Sequence, residues 1–324
     1  MAEGKWVAGL RPDLPAADAA RLALSARLDL VRQYLPLAEA SAAEDPEHIH
    51  HLRVSTRRAS AALNEFALCL PPKRLRSTKK LLRSIRGAAG EARDWDVFHM
   101  MLVAPDSEHE RELPPARHLL VGFAAARRME AQERITLKTP KWSARLERRI
   151  DEVLTHLSTP DAEPSLLADL ALVRLRALLG ALHAATDPVP SDYEGLHRTR
   201  IAGKRLRYAM ELYVDCFSAS FRAELYRLVE EMQEILGQLN DSHVASRHLL
   251  SVREHLRAFH ANEWPQFEPG LEGFFQACRQ RLLDAEARFE AWLPRWRQAI
   301  ALYPLEWLRL SPEHSSDTSL GHGI

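Results

Sequence analysis

The chain has 324 residues, which is long enough for two domain-sized units with ample core. Its 44 Lys and Arg residues balance 44 Asp and Glu residues, which argues against a general nucleic-acid coat protein and means that an anion site must come from local segregation of charge. Hydrophobic residues make up 46% of the chain, which excludes a disordered protein, and the scarcity of glycine favours helix nearly everywhere.

The cysteines and the N-terminus indicate the cellular compartment. Cys69, Cys216 and Cys278 are odd in number and form no C-x-x-C pair, which favours reduced core thiols in the cytosol over a disulfide framework. The N-terminal residues lack a basic segment followed by an apolar run, so no secretory signal is predicted. Charged residues interrupt the most apolar helix, near 165–185, so no membrane span is predicted either.

Apolar residues three and four positions apart predict an all-α fold that follows an N-terminal extension over 1–13. In the first half the predicted helices cover 16–39, 47–70, 73–89, 94–103, 115–137 and 142–157. Their boundaries are set by Pro36, Pro46, Pro71, Pro72, Gly87, Gly90, Pro114, Pro115 and Pro140. A linker over 159–165 leads to a second half with breaks at Pro188, Pro190, Gly237, Pro265 and Pro269.

A shift of 147 residues places the second half on the first, which predicts a tandem duplication. The shift pairs His50 with His197, and it pairs segment 90–97 with segment 237–244. The predicted repeats are 14–160 and 161–308, which together form one domain of two helical bundles related by pseudo-two-fold symmetry. A disordered tail is predicted over 309–324.

One helix of each half carries a row of cations opposite an apolar stripe. The first row is His50, Arg53 and Arg57, and the second is His197, Arg200, Lys204 and Arg207, with Glu211 on the same side. The next helix of the first half adds a second basic side, formed by Lys73, Arg76, Lys79, Lys80, Arg83 and Arg86. Residues 50–93 contain eleven Lys or Arg against two acids, and residues 197–240 contain seven against six, so the first half is expected to supply more charge.

These rows favour an extended anionic ligand. Like charges three and four apart on a helix repel one another by roughly 0.2–0.5 kcal/mol per pair. A solvated basic surface is the simplest alternative, but the recurrence of the same residues at the same offsets favours a binding role. Arginine offers a donor fork suited to phosphate, and a stripe several turns long suits a ligand with regularly repeated charge.

The segments 90–97 and 237–244 are predicted to form a turn between two helices. Gly90 and Gly237 are interpreted as helix-terminating residues, and Asp94 and Asp241 as N-caps. A compatible alternative is that the two carboxylates orient Arg or His side chains of the cationic rows. Tyr208 and Asn240, the latter matching Arg93 in the first half, are assigned similar supporting roles.

The motifs H-x-L-R-V-x-x-R-R at 50–58, H-x-x-R-I-x-x-K-R-L-R-Y-x-x-E at 197–211 and G-x-x-R-D-x-D-V at 90–97 resemble the conserved histidine α-helical domain, CHAD, from about 14 to 300. The resemblance implies two pseudo-symmetric helical bundles, a basic groove or pore between them, and binding of inorganic polyphosphate, often at cytoplasmic polyphosphate granules. It implies no catalytic residue, cofactor or metal. Carried over by position, the family's site residues are His50, Arg53, Arg57, Arg58, Arg93, His197, Arg200, Lys204, Arg205 and Arg207.

Some positions depart from the family pattern. Ser60 stands where the family commonly keeps an arginine and where the second half has Arg207. No E-x-E-x-K signature of a fused triphosphate-tunnel domain occurs, so the resemblance is to a stand-alone module.

Three other functions remain open from the residues alone. A nucleic-acid backbone binder, above all of RNA, would use the same cations, but few aromatic residues lie near them for base stacking. A phosphohydrolase or kinase would need a metal centre or a phosphate-binding loop, and His48, His50 and His51 cannot converge on one ion from a helix. A scaffold that docks an acidic or granule-associated protein is the third alternative.

Overall fold

The chain folds into helices, as the all-α prediction requires, in a computed structural model that describes residues 4–40, 45–103, 114–158 and 166–302. The described helices are α1 (Ala16–Ala40), α2 (Glu47–Glu65), α3 (Pro72–Val103), α4 (Pro114–Thr155), α5 (Leu167–Thr186), α6 (Tyr193–Tyr213), α7 (Arg227–Phe259) and α8 (Trp264–Leu302). Short 3-10 turns follow α2 and α6, and a π-helical turn, Phe221–Tyr226, leads into α7. None of the described helices has the length and apolar character needed to cross a membrane.

Several predicted helix boundaries are wrong, because tertiary packing carries the helices through local breakers. Segments 73–89 and 94–103 form the single helix α3, and segments 115–137 and 142–157 form the single helix α4, which contains Pro140. Three other residues that were predicted to break helices also lie inside them: Pro36 in α1, Gly237 in α7 and Pro269 in α8. The predicted linker over 159–165 and the tail over 309–324 lie outside the described residues.

Helix contacts place the two cationic helices against each other. In the first half α1 packs on α2 and α4, while α3 packs on the same two helices. In the second half α5, α6, α7 and α8 pack in sequence. Each of α1 to α4 also contacts the helix four places later, so that α2 meets α6 and α3 meets α7. A pseudo-two-fold axis between the halves would produce this pairing.

The apolar stripes of α2 and α6 lie in one hydrophobic core that extends through both halves. The buried residues include Leu52, Leu63, Leu206 and Met210, which are fully shielded from solvent on the side of each helix opposite its row of cations, as predicted. Burial of such side chains stabilises the fold by roughly 1.5–3 kcal/mol each. The apolar stripes therefore fix which face of each helix turns away from the core.

α6 and α7 pack closely at Gly203. A Cβ at Gly203 would overlap the Met232 methyl group and lie 2.5 Å from Gln233 Nε2. Gln233 Nε2 in turn donates to the Arg200 carbonyl at 3.2 Å. A larger residue at position 203 would therefore displace the ends of these two side chains.

A buried carboxylate joins the halves at Glu211 on α6. It accepts a hydrogen bond from Arg58 of α2, with Nε 2.8 Å from Oε2, and Arg27 Nη2 of α1 lies 3.8 Å from the same oxygen. Tyr226 donates to the other carboxylate oxygen at 3.2 Å. All four side chains are buried, and burial lowers the pKa of Arg27 to about 10.

A second buried carboxylate makes the reciprocal connection. Glu65 of α2 accepts hydrogen bonds from Arg174 of α5, at 3.0 Å, and from the Tyr213 hydroxyl of α6, at 3.2 Å. Burial, followed by the charge of Glu65, raises the pKa of Tyr213, so this hydroxyl remains a donor. Each half thus sends an arginine from its first helix to a glutamate of the other half.

The N-terminal arm, defined here as residues 4–10, packs on the second half. Lys5 Nζ lies 2.8 Å from Glu230 Oε1 of α7, and the Trp6 ring lies 5.0 Å from the Tyr226 ring. Arg27 donates to the carbonyl groups of Gly4 and Lys5. Val7 and Leu10 of this arm are buried, so the described part of the predicted extension belongs to the fold.

Replacing Glu211 by alanine is expected to destabilise the protein by about 3–5 kcal/mol, because Arg27 and Arg58 would remain buried without their carboxylate partner. Urea unfolding of the purified variant measures the loss. Glu234→Ala, which removes an exposed glutamate from α7, is the matched control and should change stability by less than about 0.5 kcal/mol. Equal losses in the two variants would contradict this role for Glu211.

Candidate anion-binding site

Five cations from the two predicted rows come together where α2 meets α6. We call them the cationic cluster: Arg53 and Arg57 from α2, and Arg200, Lys204 and Arg207 from α6. They project from the faces that the apolar stripes leave free, and each is only partly exposed. The cluster therefore concentrates positive charge between the halves of a protein whose formal net charge is zero.

The cations of the cluster act on one another through a poorly solvated environment. Burial, then the charges of Arg57 and Arg200, lowers the pKa of Lys204 to about 5. Burial, then the charge of Arg57, lowers the pKa of Arg53 to about 10, and the same two causes lower the pKa of Arg200. An empty cluster therefore favours loss of a proton from Lys204 at neutral pH.

Few carboxylates balance this charge. Among the described residues, Arg57, Arg200, Lys204 and Arg207 have no carboxylate within 4.0 Å. Arg53 has one, since its Nη2 lies 3.2 Å from Asp94 Oδ1 of α3. The Nε atoms of three cluster members are buried without a hydrogen-bond partner in the described structure: those of Arg53, Arg200 and Arg207.

The predicted turns at 90–97 and 237–244 are wrong. Gly90 and Asp94 lie inside α3, and Gly237 and Asp241 lie inside α7, so the glycines do not end helices and the aspartates are not N-caps. Ala89 and Ala92 are fully buried, and this packing offsets the low helix propensity of Gly90. A Cβ at Gly90 would lie 3.7 Å from Arg53 Nε, an ordinary contact distance, so Arg53 lies directly beside α3 at this position.

The two aspartates lie side by side where α3 meets α7. Asp94 and Asp241 line a narrow crevice with Val97, Phe98 and Val244 among its other walls. Burial raises the pKa of Asp94, Arg53 opposes the rise, and the charge of Asp241 adds to it. Their negative charges act on Arg53 and Arg200 from this side of the cluster, and the orienting role of the two carboxylates stays a prediction.

The predicted histidines flank the cluster in their neutral form. Burial, then the charge of Arg93, lowers the pKa of His50 to about 4, and burial with Arg200 lowers the pKa of His197. Arg93 is itself paired with Glu47, with Nη1 3.2 Å from Oε1. Asn240 opposes this lowering of the His197 pKa, and its Oδ1 accepts a hydrogen bond from the Tyr193 hydroxyl at 3.5 Å.

A basic surface on α3 adjoins the cluster. We call it the α3 track: Arg76, Lys79, Lys80, Arg83 and Arg86. Arg76, Lys80 and Arg83 are exposed, and the Lys79 amine donates to Asn64 Oδ1 at 2.5 Å. Burial, then the charge of Arg57, lowers the pKa of Arg86, so Arg86 connects the α3 track to the cluster.

The structure does not bring every predicted site residue to the cluster. Arg58 is buried and bonded to Glu211, so its assignment to the ligand site is wrong, as is the position of Glu211 on the open cationic side. Arg205 is exposed on α6. Tyr208 is buried under the Arg207 guanidinium, whose carbon lies 5.1 Å from the ring centre.

Three groups near the site were missed from the sequence. Arg27 and Arg174 hold the two halves together. The shift of 147 residues pairs these two arginines with each other, and this pairing is the sequence pattern that could have identified them. Tyr193 stacks on His243 with 3.6 Å between ring centres and also lies beside His197. No sequence pattern singled out Tyr193. Among the described residues, no group of three or more His, Cys, Asp or Glu side chains is arranged to hold a metal ion.

Comparison with known proteins identifies the family. The chain belongs to the CHAD domain family, whose model matches residues 22–250, a span that includes both cationic rows. The CHAD domain from the plant Ricinus communis is similar in structure, with a TM-score of 0.69, 24% sequence identity, and coverage of 94% of this chain and 97% of that one. PptA from Streptomyces chartreusis matches with a TM-score of 0.62, 18% identity, and coverage of 87% and 100%. No curated protein sequence matches the chain.

Replacing Lys204 by methionine is expected to stabilise the empty protein at pH 7 by about 1–3 kcal/mol. With its pKa at about 5, Lys204 binds no proton at pH 7 in the folded state, whereas the unfolded chain does. The free energy of unfolding of the original protein should therefore rise with pH from the folded-state pKa of Lys204, about 5, up to the ordinary lysine pKa of the unfolded chain. The free energy of unfolding of the variant should rise less over this range. Denaturant unfolding in phosphate-free buffer at several pH values measures both effects.

Lys141→Met, at an exposed position of α4, provides the control for this measurement. It should leave stability within about 0.5 kcal/mol of the original protein. A Lys204→Met variant with unchanged stability and unchanged pH dependence would show that Lys204 is well solvated and charged.

Proposed function

We propose that the protein binds inorganic polyphosphate, without chemical turnover, in the cationic cluster between its two halves. The observation that carries this proposal is the excess of cations in the cluster, where four of five lack a nearby carboxylate among the described residues. Phosphoryl oxygens would pair with these cations and accept hydrogen bonds from the buried Nε atoms of Arg53, Arg200 and Arg207. Membership of the CHAD family supports the same ligand class.

The form of the site favours a ligand with several phosphoryl groups over a single phosphate. Arg53 and Arg57 lie one helical turn apart, as do Arg200 and Lys204, and Arg207 extends the second row. One phosphate group would neutralise only part of this charge. A linear polyphosphate repeats its charge at every unit, so successive units would meet successive cations, and affinity would fall as salt rises.

The aromatic residues near the cluster favour polyphosphate over RNA or single-stranded DNA. Single-strand binders present ring faces on which bases stack. Here Tyr208 is only 6% exposed and Trp95 only 9%, and Trp95 already stacks on His248 with 3.8 Å between ring centres. The Tyr193 ring is likewise stacked on His243. These rings are committed to the fold, so the cluster offers charge without base recognition.

The residues of the cluster are suited to holding phosphates more than to cleaving them. The cluster supplies hydrogen-bond donors and positive charge, whereas Asp94 is paired with Arg53. We therefore propose a binding module that acts in the cytoplasm at polyphosphate granules, alone or with granule-associated proteins. Following the release of free phosphate during binding experiments tests the non-catalytic part directly.

Reversing two charges, in the variant Arg57→Glu/Lys204→Glu, is expected to weaken polyphosphate binding at least about 100-fold, because two attractive contacts become repulsive. Titration with long-chain polyphosphate, tripolyphosphate, single-stranded RNA and duplex DNA at physiological salt measures the change, and circular dichroism checks that helicity is kept. The unmodified protein should bind polyphosphate far more tightly than either nucleic acid.

The control for this variant is Lys141→Glu/Arg145→Glu, which reverses two exposed charges four residues apart on α4. It alters the net charge equally and should weaken binding less than about threefold. Comparable losses in the two variants would show that overall charge, and not the cluster, attracts the ligand. Equal or tighter binding to RNA by the unmodified protein would replace polyphosphate with a nucleic acid as the ligand.

Polyphosphate binding at pH 7 is expected to be accompanied by proton uptake. For each proton taken up, the affinity should fall by up to about tenfold when the pH rises by one unit. Lys204 is neutral in the empty site, because its pKa is about 5, and adjacent phosphates would raise that pKa toward the ordinary range. The bound state then carries more protons than the free state, which favours binding at lower pH. Calorimetry in buffers of different ionisation enthalpy counts the protons.

A conservative variant isolates the contribution of Lys204 to this uptake. Lys204→Arg keeps a cation at the position but remains charged throughout the neutral range. It should bind polyphosphate with fewer protons taken up than the original protein. The same proton uptake in both proteins would assign the effect to other groups, such as His50 and His197, whose pKa values burial also lowers.

A further inference from the structure

We propose that a polyphosphate chain held in the cationic cluster continues along the α3 track of the first half, and that the second half offers no equivalent route because the N-terminal arm closes that side. The inference rests on the proposed function and specifies it further. It assigns the length-dependent part of binding to exposed residues of one helix.

The α3 track has the features of an open continuation of the cluster. Arg86 lies within electrostatic reach of both Arg57 and Arg83, so positive charge is continuous from the cluster onto the surface. Ten residues separate Arg76 from Arg86, which corresponds to roughly 15 Å along a helix. The exposed cations Arg76, Lys80 and Arg83 have no ion-pair partner among the described residues, and they are therefore available to a ligand.

The corresponding positions of the second half have lost this character. A shift of 147 pairs Lys79 with Tyr226, Arg83 with Glu230, and Arg86 with Gln233. Tyr226 is only 2% exposed, and Gln233 is buried against α6, where it donates to the Arg200 carbonyl. The shift also pairs Arg76 with Ala223, so of the five positions of the α3 track only that of Lys80 keeps a cation, Arg227, and no continuous basic stripe remains on this side.

The N-terminal arm covers the same positions. Its Lys5 pairs with Glu230 at 2.8 Å, and its Trp6 packs on Tyr226 and under the Arg222 guanidinium, whose carbon lies 4.5 Å from the ring centre. Among the described residues, no comparable segment covers Arg76, Lys80 and Arg83, which are exposed.

Beyond Arg207 the interior is filled and carries acids. The Tyr226 hydroxyl donates to Glu211 at 3.2 Å and lies 3.4 Å from Glu230, and Glu211 is bonded to Arg58 in a buried network. A polyphosphate chain extended in this direction would meet buried side chains whose charges are already paired, since Glu211 is bonded to Arg58 and Glu230 to Lys5. This closed, charge-paired interior therefore directs the chain toward α3.

The test compares two matched charge reversals, Lys80→Glu on the α3 track and Arg227→Glu at the position that the shift of 147 pairs with it. Both residues are exposed and have no ion-pair partner among the described residues, so both variants should fold, as circular dichroism can verify. Affinities for long-chain polyphosphate and for tripolyphosphate are measured by titration at low salt, where surface charges count most.

Lys80→Glu should weaken binding of long-chain polyphosphate by about three- to tenfold and binding of tripolyphosphate by less than about twofold, because the short ligand is held in the cluster. Arg227→Glu should change either affinity by less than about twofold. Equal losses of long-chain affinity in the two variants would overturn the one-sided route. Equal losses for long and short ligands in Lys80→Glu would overturn the extended track. Absence of polyphosphate binding by the unmodified protein would instead overturn the proposed function itself.

Discussion

The site depends on the buried pairing of Glu211 with two arginines of the other half. Arg58 is held by Glu211, and because neighbouring residues on a helix point about 100° apart, this contact fixes the direction in which Arg57 projects. On α6 the same contact fixes the rotation of the helix that carries Lys204 and Arg207. The orientation of charges on both rows thus follows from one carboxylate, which is only 1% exposed.

The cluster places like charges together in an environment that solvates them poorly, and this opposes folding. Hydrophobic burial along α2 and α6 offsets the repulsion, since the apolar stripes of both helices are fully covered. Lys204 lessens the repulsion further by giving up its proton, with its pKa at about 5. A protein selected for stability alone would place an apolar or acidic residue here, and the cations fit the proposed role, in which a ligand would supply the missing negative charge.

Much of the site could be predicted from the sequence, because helical periodicity and the recurrence at 147 residues are both visible in the order of residues and need no knowledge of tertiary contacts. They predict the rows of α2 and α6 and the faces that these rows occupy. They do not predict that Gly90 and Gly237 lie inside helices, since continuation of α3 and α7 depends on burial of residues such as Ala89 and Ala92. Arg58 was misassigned because a sequence motif does not show which partner a side chain will have. Here the partner is Glu211, which holds the Arg58 side chain in the interior. The N-terminal arm has no periodicity, so its packing on Tyr226 and Glu230 could not be predicted.

Gly203 affects the site although its own position carries no charge. A methyl group there would overlap the end of the Met232 side chain and lie 2.5 Å from Gln233 Nε2, so alanine would displace both side-chain ends. Gln233 Nε2 donates to the Arg200 carbonyl, and its displacement would remove that hydrogen bond. The backbone that carries Arg200 is therefore supported through a residue that no ligand would touch.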